Sequence, residues 1–444
     1  MEQRSLHLQT KITTARVFAI AGPAMVANLT TPLIGVVSTT AIGRLGDPAL
    51  LGGVAMASVI FDCLFWLFGF LRMSTVGFTA QALGAGERDE LPALLARGLA
   101  VAALIGLALI ALQVPLATIL LQMMGGSETV TRAARTYLII RIWSSPLALA
   151  NYVVLGWLIG QARAGLALTL QIAINLINVA LTVLLVLALD RGIAGAATAA
   201  VIAEAAGLGI GLVMARRLAG SLLVPRAQLF DRAPLMRMLA VNRDIMIRTA
   251  ALIAAFLFFT AQGARAGDVT LAANAVLNNF LLISGFFLDG LANAAEQICG
   301  QAFGARDRAA FSTATRLVVS WGFGFALAVA IVFALAGPVL IDFMTASENV
   351  RVAARAFLMF VAVSPLLSVF AFVFDGVYIG ATWARDMRNL MVLSLVIFLG
   401  GWLALRPFGN AGLWGALLVF YAARGGLEAA RYPSLLRSSF AKTS

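Results

Sequence analysis

Apolar runs of about twenty residues recur from one end of this chain to the other, and a soluble core has no room for them. Leu99 to Leu121, Leu166 to Leu189 and Leu317 to Ile341 are each long enough for a helix to cross about 30 Å of hydrocarbon at 1.5 Å per residue. Lipid offers backbone groups no water, so segments of this kind must be helical where they cross. At 61% hydrophobic and 12% charged residues over 444 positions, the sequence has about half the charge of a typical soluble domain. The membrane is its solvent, and the fold expected is an all-α polytopic one.

Apolar runs bounded by turn-forming clusters predict about twelve spans, over 16–41, 51–82, 96–122, 134–160, 165–189, 193–215, 243–265, 270–303, 313–341, 353–380, 388–405 and 410–432. The connections beginning at Gly84, Leu218, Gly304 and Thr382, with both tails, hold roughly 20 Lys and Arg against about 8 on the other side. Both termini are therefore expected in the cytoplasm, with the chain in the inner membrane. No short apolar core with a small-residue cleavage site precedes the first span, which is expected to act as an uncleaved signal.

The formal charge of +12 follows from loop arginines of this kind, which lack the interleaved aromatics of a nucleic-acid platform. His7 is the only histidine, and Cys63 and Cys299 lie in apolar segments without metal-like or disulfide-like spacing. Neither a metal nor an organic cofactor is expected, and no acid, base and nucleophile converge as an enzyme would need.

The chain repeats itself. Ala80-Gln-Ala-Leu-Gly-Ala85 returns as Gly300-Gln-Ala-Phe-Gly-Ala305, Ser127-Glu128 with Arg135 returns as Ser347-Glu348 with Arg355, and Gly156 to Gly160 returns as Gly376 to Gly380, all at an offset of about 220 residues. Gly192-Ile-Ala-Gly195 and Gly409-Asn-Ala-Gly412 follow at a slightly shorter offset. The reading is an N-lobe of six spans over 1–217, a cytoplasmic linker over 218–241, and a C-lobe of six spans over 242–444. Because six is even, the two lobes are parallel repeats. Two such bundles suit alternating access, whereas a channel needs no such symmetry within one chain.

Several stretches carry a family resemblance: Pro32-Leu-Ile-Gly35, Ile42-Gly-Arg-Leu-Gly46, Phe70-Leu-Arg-Met-Ser74, Asn242-Arg-Asp-Ile-Met246, Gly300-Gln-Ala-Phe-Gly-Ala-Arg-Asp307 and Asp375-Gly-Val-Tyr-Ile-Gly-Ala-Thr382. In this order and spacing the whole chain resembles the DinF-like branch of the multidrug and toxic compound extrusion (MATE) family. The resemblance implies a V-shaped pair of six-helix lobes. It also implies export of small organic compounds, often cationic or amphipathic, in exchange for H+ or Na+.

Such coupling needs a group that holds a cation in one conformation and releases it in the other, as an intramembrane carboxylate can. The candidates are Asp62, Glu204, Asp289, Glu296 and Asp375. Asp289 and Glu296 are two helical turns apart on one face, about 10 Å along the axis. With Asp375 they resemble a C-lobe cation or drug site, the alternative being acids that fix helix packing. Glu204 is either functional or a hydrogen bond to a neighbouring helix, and Asn175 and Asn178 are either the family's N-lobe polar face or interhelical glue.

The sequence departs from the family where the first span usually reads Gly-x-Val-Asp-Thr: Gly35-Val-Val-Ser-Thr39 puts Ser38 in the acid's place. Thr182 stands where the fifth span often has a second aspartate. A hydroxyl cannot cycle a proton near neutral pH, which leaves coupling to the C-lobe acids, compensation by Asp62, or uncoupled transport. Arg72, Arg141 and Arg248 fall near predicted span ends and are expected to snorkel to the headgroups, the alternative being cavity lining or pairing with Glu or Asp. Phe65, Trp66, Met73, Phe286 and Phe287 face either drug or lipid, and Pro23, Pro32, Pro146 and Pro365 are expected to kink or break their helices. The expected partners are small molecules and the bilayer, with the chain a monomer. The competing reading is a lipid-linked oligosaccharide flippase, for which a strongly cationic groove is expected rather than an acidic C-lobe.

Overall fold

The computed structural model describes residues 12–44 and 47–441, without the side chains of 29–34, 36, 38 and 39. His7 and the side chain of Ser38 therefore lie outside the described residues. Twelve helical rods are present among the described residues: α1 (Thr14–Gly43), α2 (Pro48–Ala85), α3 (90–124), α4 (Glu128–Gly160), α5 (Ala164–Ala188), α6 (Gly192–Ala219), α7 (Arg232–Arg265), α8 (Asp268–Gly304), α9 (Arg308–Met344), α10 (Glu348–Gly380), α11 (Ala384–Leu405) and α12 (Gly409–Ser439). They form two parallel six-helix lobes, α1–α6 and α7–α12, as the repeat requires.

Helix breaks concentrate in the N-lobe. α2 is interrupted at Phe68 and Gly69, α3 at Leu112, and α4 by a tight turn over Ile142–Ser144 that places Pro146 in the first turn of a new segment, where its missing N–H costs nothing. Of the expected proline breaks, only this one interrupts a helix. α1 runs through Pro23 and Pro32, and α10 runs through Pro365. At Pro365 the carbonyl of Val361 loses its usual partner, and the Ser364 hydroxyl donates to it at 2.8 Å.

The expected linker over 218–241 is shorter in the structure. α6 runs to Ala219 and α7 starts at Arg232, because Met238 and Val241 continue an apolar helical face and are buried. The intervening segment contains one helical turn, Arg226–Leu229, tied to the N-lobe by buried Arg97, which donates to the carbonyls of Gln228 at 2.6 Å and Leu229 at 3.3 Å.

The sequence repeat is also a packing repeat. In the N-lobe α4 lies on α2, and a Cβ on Gly156 would meet the Arg72 carbonyl oxygen at 2.5 Å; in the C-lobe α10 lies on α8, and a Cβ on Gly376 would meet the Ala292 carbonyl oxygen at 2.3 Å. The lobes join where α2 crosses α8. A Cβ on Gly84 would fall 2.0 Å from the Gln301 carbonyl oxygen, and one on Gly304 would fall 2.0 Å from that of Gln81. The same two glutamines receive reciprocal arginines: Arg237 of α7 donates to Gln81 at 3.1 Å, and Arg16 of α1 donates to Gln301. The connections after α2 and α8, the start of α1 and the end of α12 all lie at this end, where Arg306 donates to the Ser439 carbonyl at 3.4 Å. We call it the basic end.

Gly84→Ala and Gly304→Ala should each force the α2 and α8 backbones apart, an overpacking cost of about 1–3 kcal/mol. Spin labels on Arg88→Cys and Arg308→Cys, with the native cysteines replaced, should then report a longer distance across the basic end; an unchanged distance distribution would show that the seal does not depend on this contact.

Candidate functional site

A cavity of about 550 Å³ lies between the lobes, walled by α2, α4, α7, α8, α10 and α12. Its outer part is aromatic, with Phe65 and Trp66 of α2, Phe256 and Phe259 of α7, Phe286 of α8 and Phe372 of α10; Trp66 and Phe256 stack across the lobes with ring centroids 6.1 Å apart. Met73 also lines the cavity, whereas Phe287 turns away to stack on Phe325 of α9. Toward the basic end the lining becomes charged: Arg72, Arg248, Arg424, Asp289, Glu296 and Asp375.

Asp375 is the anchor of this charged part. Arg248 from α7 and Arg424 from α12 both donate to its Oδ2, and all three side chains are buried. The Arg424 guanidinium also lies 5.7 Å from the Phe372 ring centroid. Oδ1 of Asp375 is left without a hydrogen-bond partner. On α8, Asp289 opens into the cavity, while Glu296 is buried 3.9 Å from Arg72, whose guanidinium donates to Asn293 at 2.6 Å. Arg72, Asp289 and Asn293 also line a second cavity of about 140 Å³ against α1, α4 and α5, so they form the wall between the two.

These positions correct two expectations. The three arginines do not snorkel from span ends. α7 begins ten residues earlier than the predicted C-lobe, which moves Arg248 about 24 Å from the helix start and leaves it 4% exposed. Arg141 lies well inside α4 for the same reason, over Phe61 and Phe65 at 5.5 and 5.6 Å, and Arg72 lines the cavity. Nor is the C-lobe part of the cavity simply acidic, because Arg248 and Arg424 line it beside the acids and both bond Asp375.

The remaining candidates are in the N-lobe, away from this cluster. Glu204 of α6 accepts from Asn151 of α4 at 2.7 Å and lies 3.8 Å from Arg141, a bridge among helices. Asp62 is exposed, and the charge acting on it is that of Arg141. Asn175, Asn178 and Thr182 follow one another down a buried face of α5; Gln171 donates to Asn175 at 3.0 Å, and Thr182 lies 3.4 Å from Asn178.

Arg424 and Glu428 belong to the charged cluster and were not among the sequence candidates. Their signal was present: opposite charges at i and i+4 inside a predicted span.

Truncating Asp375 to Ala should leave two buried guanidiniums unpaired, at about 3–5 kcal/mol, and lower the thermal midpoint of the purified protein. Adding Arg248→Met should recover part of the loss in a double-mutant cycle; strictly additive effects would show that the pair is not coupled.

The comparisons agree with this architecture. Residues 23–184 and 245–400, one block in each lobe, match the MatE family. DNA damage-inducible protein F of Escherichia coli (strain K12) is 40% identical over 408 residues, covering 91% of this chain and 89% of that protein. Probable multidrug resistance protein NorM of Rhizobium meliloti (strain 1021) is 25% identical over 441 residues, covering 94% and 92%. A solved structure described as the outward-facing conformation of a multidrug resistance MATE family transporter of the MOP superfamily shares the fold, with a TM-score of 0.86 at 17% identity over 96% of each chain. With both lobes matched and a relative this similar along nearly its full length, the chain belongs to the multidrug and toxic compound extrusion family of efflux transporters, in its DinF-like branch.

Proposed function

We propose that the chain is a secondary-active exporter of small organic compounds, amphipathic or cationic, driven by antiport of protons and working by alternating access as a monomer in the inner membrane. The observation that carries this reading is one cavity, set between two parallel lobes and sealed at the basic end, with an aromatic wall and buried charges toward that end. The excess of loop arginine at the basic end makes it the cytoplasmic one, with both termini there. The conformation is then outward-facing. An aromatic wall accepts amphipathic molecules without demanding one shape.

The proton is favoured over sodium because two guanidiniums sit on Asp375 and a third is beside Glu296. A metal ion would need several oxygens close around it in that positive surrounding. A proton needs one carboxylate oxygen. The coupling is assigned to the C-lobe: Asp289, Glu296 and Asp375 share the cavity, whereas Glu204 is engaged with Arg141 and Asp62 lies near that arginine in the N-lobe. Three arginines and three acids line the cavity, a balance unlike the cationic groove expected of a lipid-linked oligosaccharide flippase.

In proteoliposomes an imposed proton gradient should drive ethidium export by the wild-type protein, and Asp375→Asn and Asp289→Asn should each lower the gradient-driven component by about tenfold or more. Asp62→Asn should change it little. Retention of gradient-driven export by both C-lobe variants would overturn the coupling assignment, and movement of lipid-linked substrates in place of ethidium would favour the flippase. In Ser38→Asp, an added pH dependence would show that the N-lobe position can still couple; an unchanged profile is expected if coupling lies in the C-lobe.

A further inference from the structure

Among the described residues, one carboxylate is buried with both oxygens unpartnered, and the cavity does not expose it. Glu428 lies on α12 one turn beyond Arg424, is 0% exposed, and has no hydrogen-bond partner on either carboxylate oxygen among the described residues. Arg424 does not bond to it. That guanidinium turns to Asp375, as does Arg248 of α7. Tyr378 of α10 reaches Glu428 but donates at 2.8 Å to its backbone carbonyl, leaving the carboxyl group free.

Arg248, Arg424, Asp375 and Glu428 thus form a buried set of two cations and two acids. Arginine stays protonated, so only the acids can change charge. Asp375 is held by two guanidiniums. Glu428 is held by none, and an ionised carboxylate without a donor in the interior carries a large desolvation penalty. The cations nearest to it are those of Arg424 on its own helix and Arg248 on α7, both turned to Asp375. Of the other groups near it, Tyr378 is the one from α10, itself influenced by Asp386 and Arg431.

We propose that Glu428 is a proton-binding site of the C-lobe, paired with Asp375 through the two arginines, and that its occupancy excludes a cationic substrate from the cavity. The proposal rests on the reading of the chain as a proton-coupled exporter. With Glu428 protonated, the set carries one net positive charge directly behind the cavity wall formed by Asp375 and Arg424. An arriving cation raises the local potential, and the Glu428 O–H breaks, its electron pair staying on the carboxylate and its proton leaving to water. When the cation departs, the proton returns to the same oxygen. Exclusive occupancy of this kind is what antiport requires, and it operates without an acid at Ser38 or Thr182.

The test is proton counting on the purified protein in weakly buffered nanodiscs, together with infrared difference spectra on adding ethidium. Wild type should release a proton on binding ethidium and lose a protonated-carboxyl band; Glu428→Gln should bind ethidium, release no such proton, lack the band, and in proteoliposomes exchange ethidium without stimulation by a proton gradient. Glu428→Asp, which keeps the acid, should retain the band at a shifted frequency, so the assignment can be made even where the glutamine variant folds poorly. A wild-type protein with no substrate-sensitive carboxyl band, or a glutamine variant that releases its proton as wild type does, would overturn the proposal. Failure of wild type to export ethidium under any gradient would instead sink the exporter reading, while the band would still report whether Glu428 titrates.

Discussion

The backbones of α2 and α8 touch where Gly84 meets the Gln301 carbonyl and Gly304 meets the Gln81 carbonyl, and the arrangement of the two lobes depends on that crossing. Each lobe supplies the same glycine and the same glutamine, so the contact is its own mirror about the pseudo-twofold relation. Arg16 and Arg237 extend the symmetry by donating to the two glutamines. The crossing is buried in apolar side chains of both lobes, Phe78 and Ala82 on one side and Ile298 and Ala302 on the other. A cavity can lie above it only because helix packing farther along each lobe is carried by separate glycine contacts, Gly156 on α2 and Gly376 on α8.

The second organising constraint is the cost of charge away from water. Charged side chains inside the bilayer face protein or a cavity, and here they gather where α7, α8, α10 and α12 converge. The N-lobe holds a lesser group: Glu204, which Asn151 bonds and Arg141 approaches at 3.8 Å, with Asp62 near the same arginine. This asymmetry gives the missing N-lobe acids a physical context: with Ser38 and Thr182 unable to carry a proton, the proposed coupling falls to the C-lobe set.

Much of the fold was legible from length and repetition alone. Twelve rods follow from the apolar runs, and the repeated Gly-x-x-Ile-Gly blocks predict which helices repeat, although not that those glycines press against carbonyls of α2 and α8. Site residues were less legible, for a specific reason. Asn242, Arg243 and Asp244 read as the polar edge of a span, so Arg248 seemed to lie near an interface; α7 in fact extends back to Arg232, and those polar residues are already within the helix. What Arg248 meets is set by the packing of α7 beside α10 and α12, where Asp375 and Arg424 lie, and hydropathy does not show that. Arg424 and Glu428 were overlooked because a span's end tolerates charge. Nothing in the sequence pairs residue 424 with residue 375; only the convergence of α10 and α12 does.

Under alternating access, the cavity between the lobes communicates with one side of the membrane at a time. The most direct measurement is the reactivity of a single cysteine at Asn278, on the cavity wall, with a membrane-impermeant thiol reagent applied from either face in oriented vesicles, native cysteines having been replaced. Labelling is expected from the face opposite the basic end at rest, with transfer of reactivity to the basic face when ethidium and a proton gradient drive turnover. Labelling from both faces at once at rest would describe a channel and contradict alternating access.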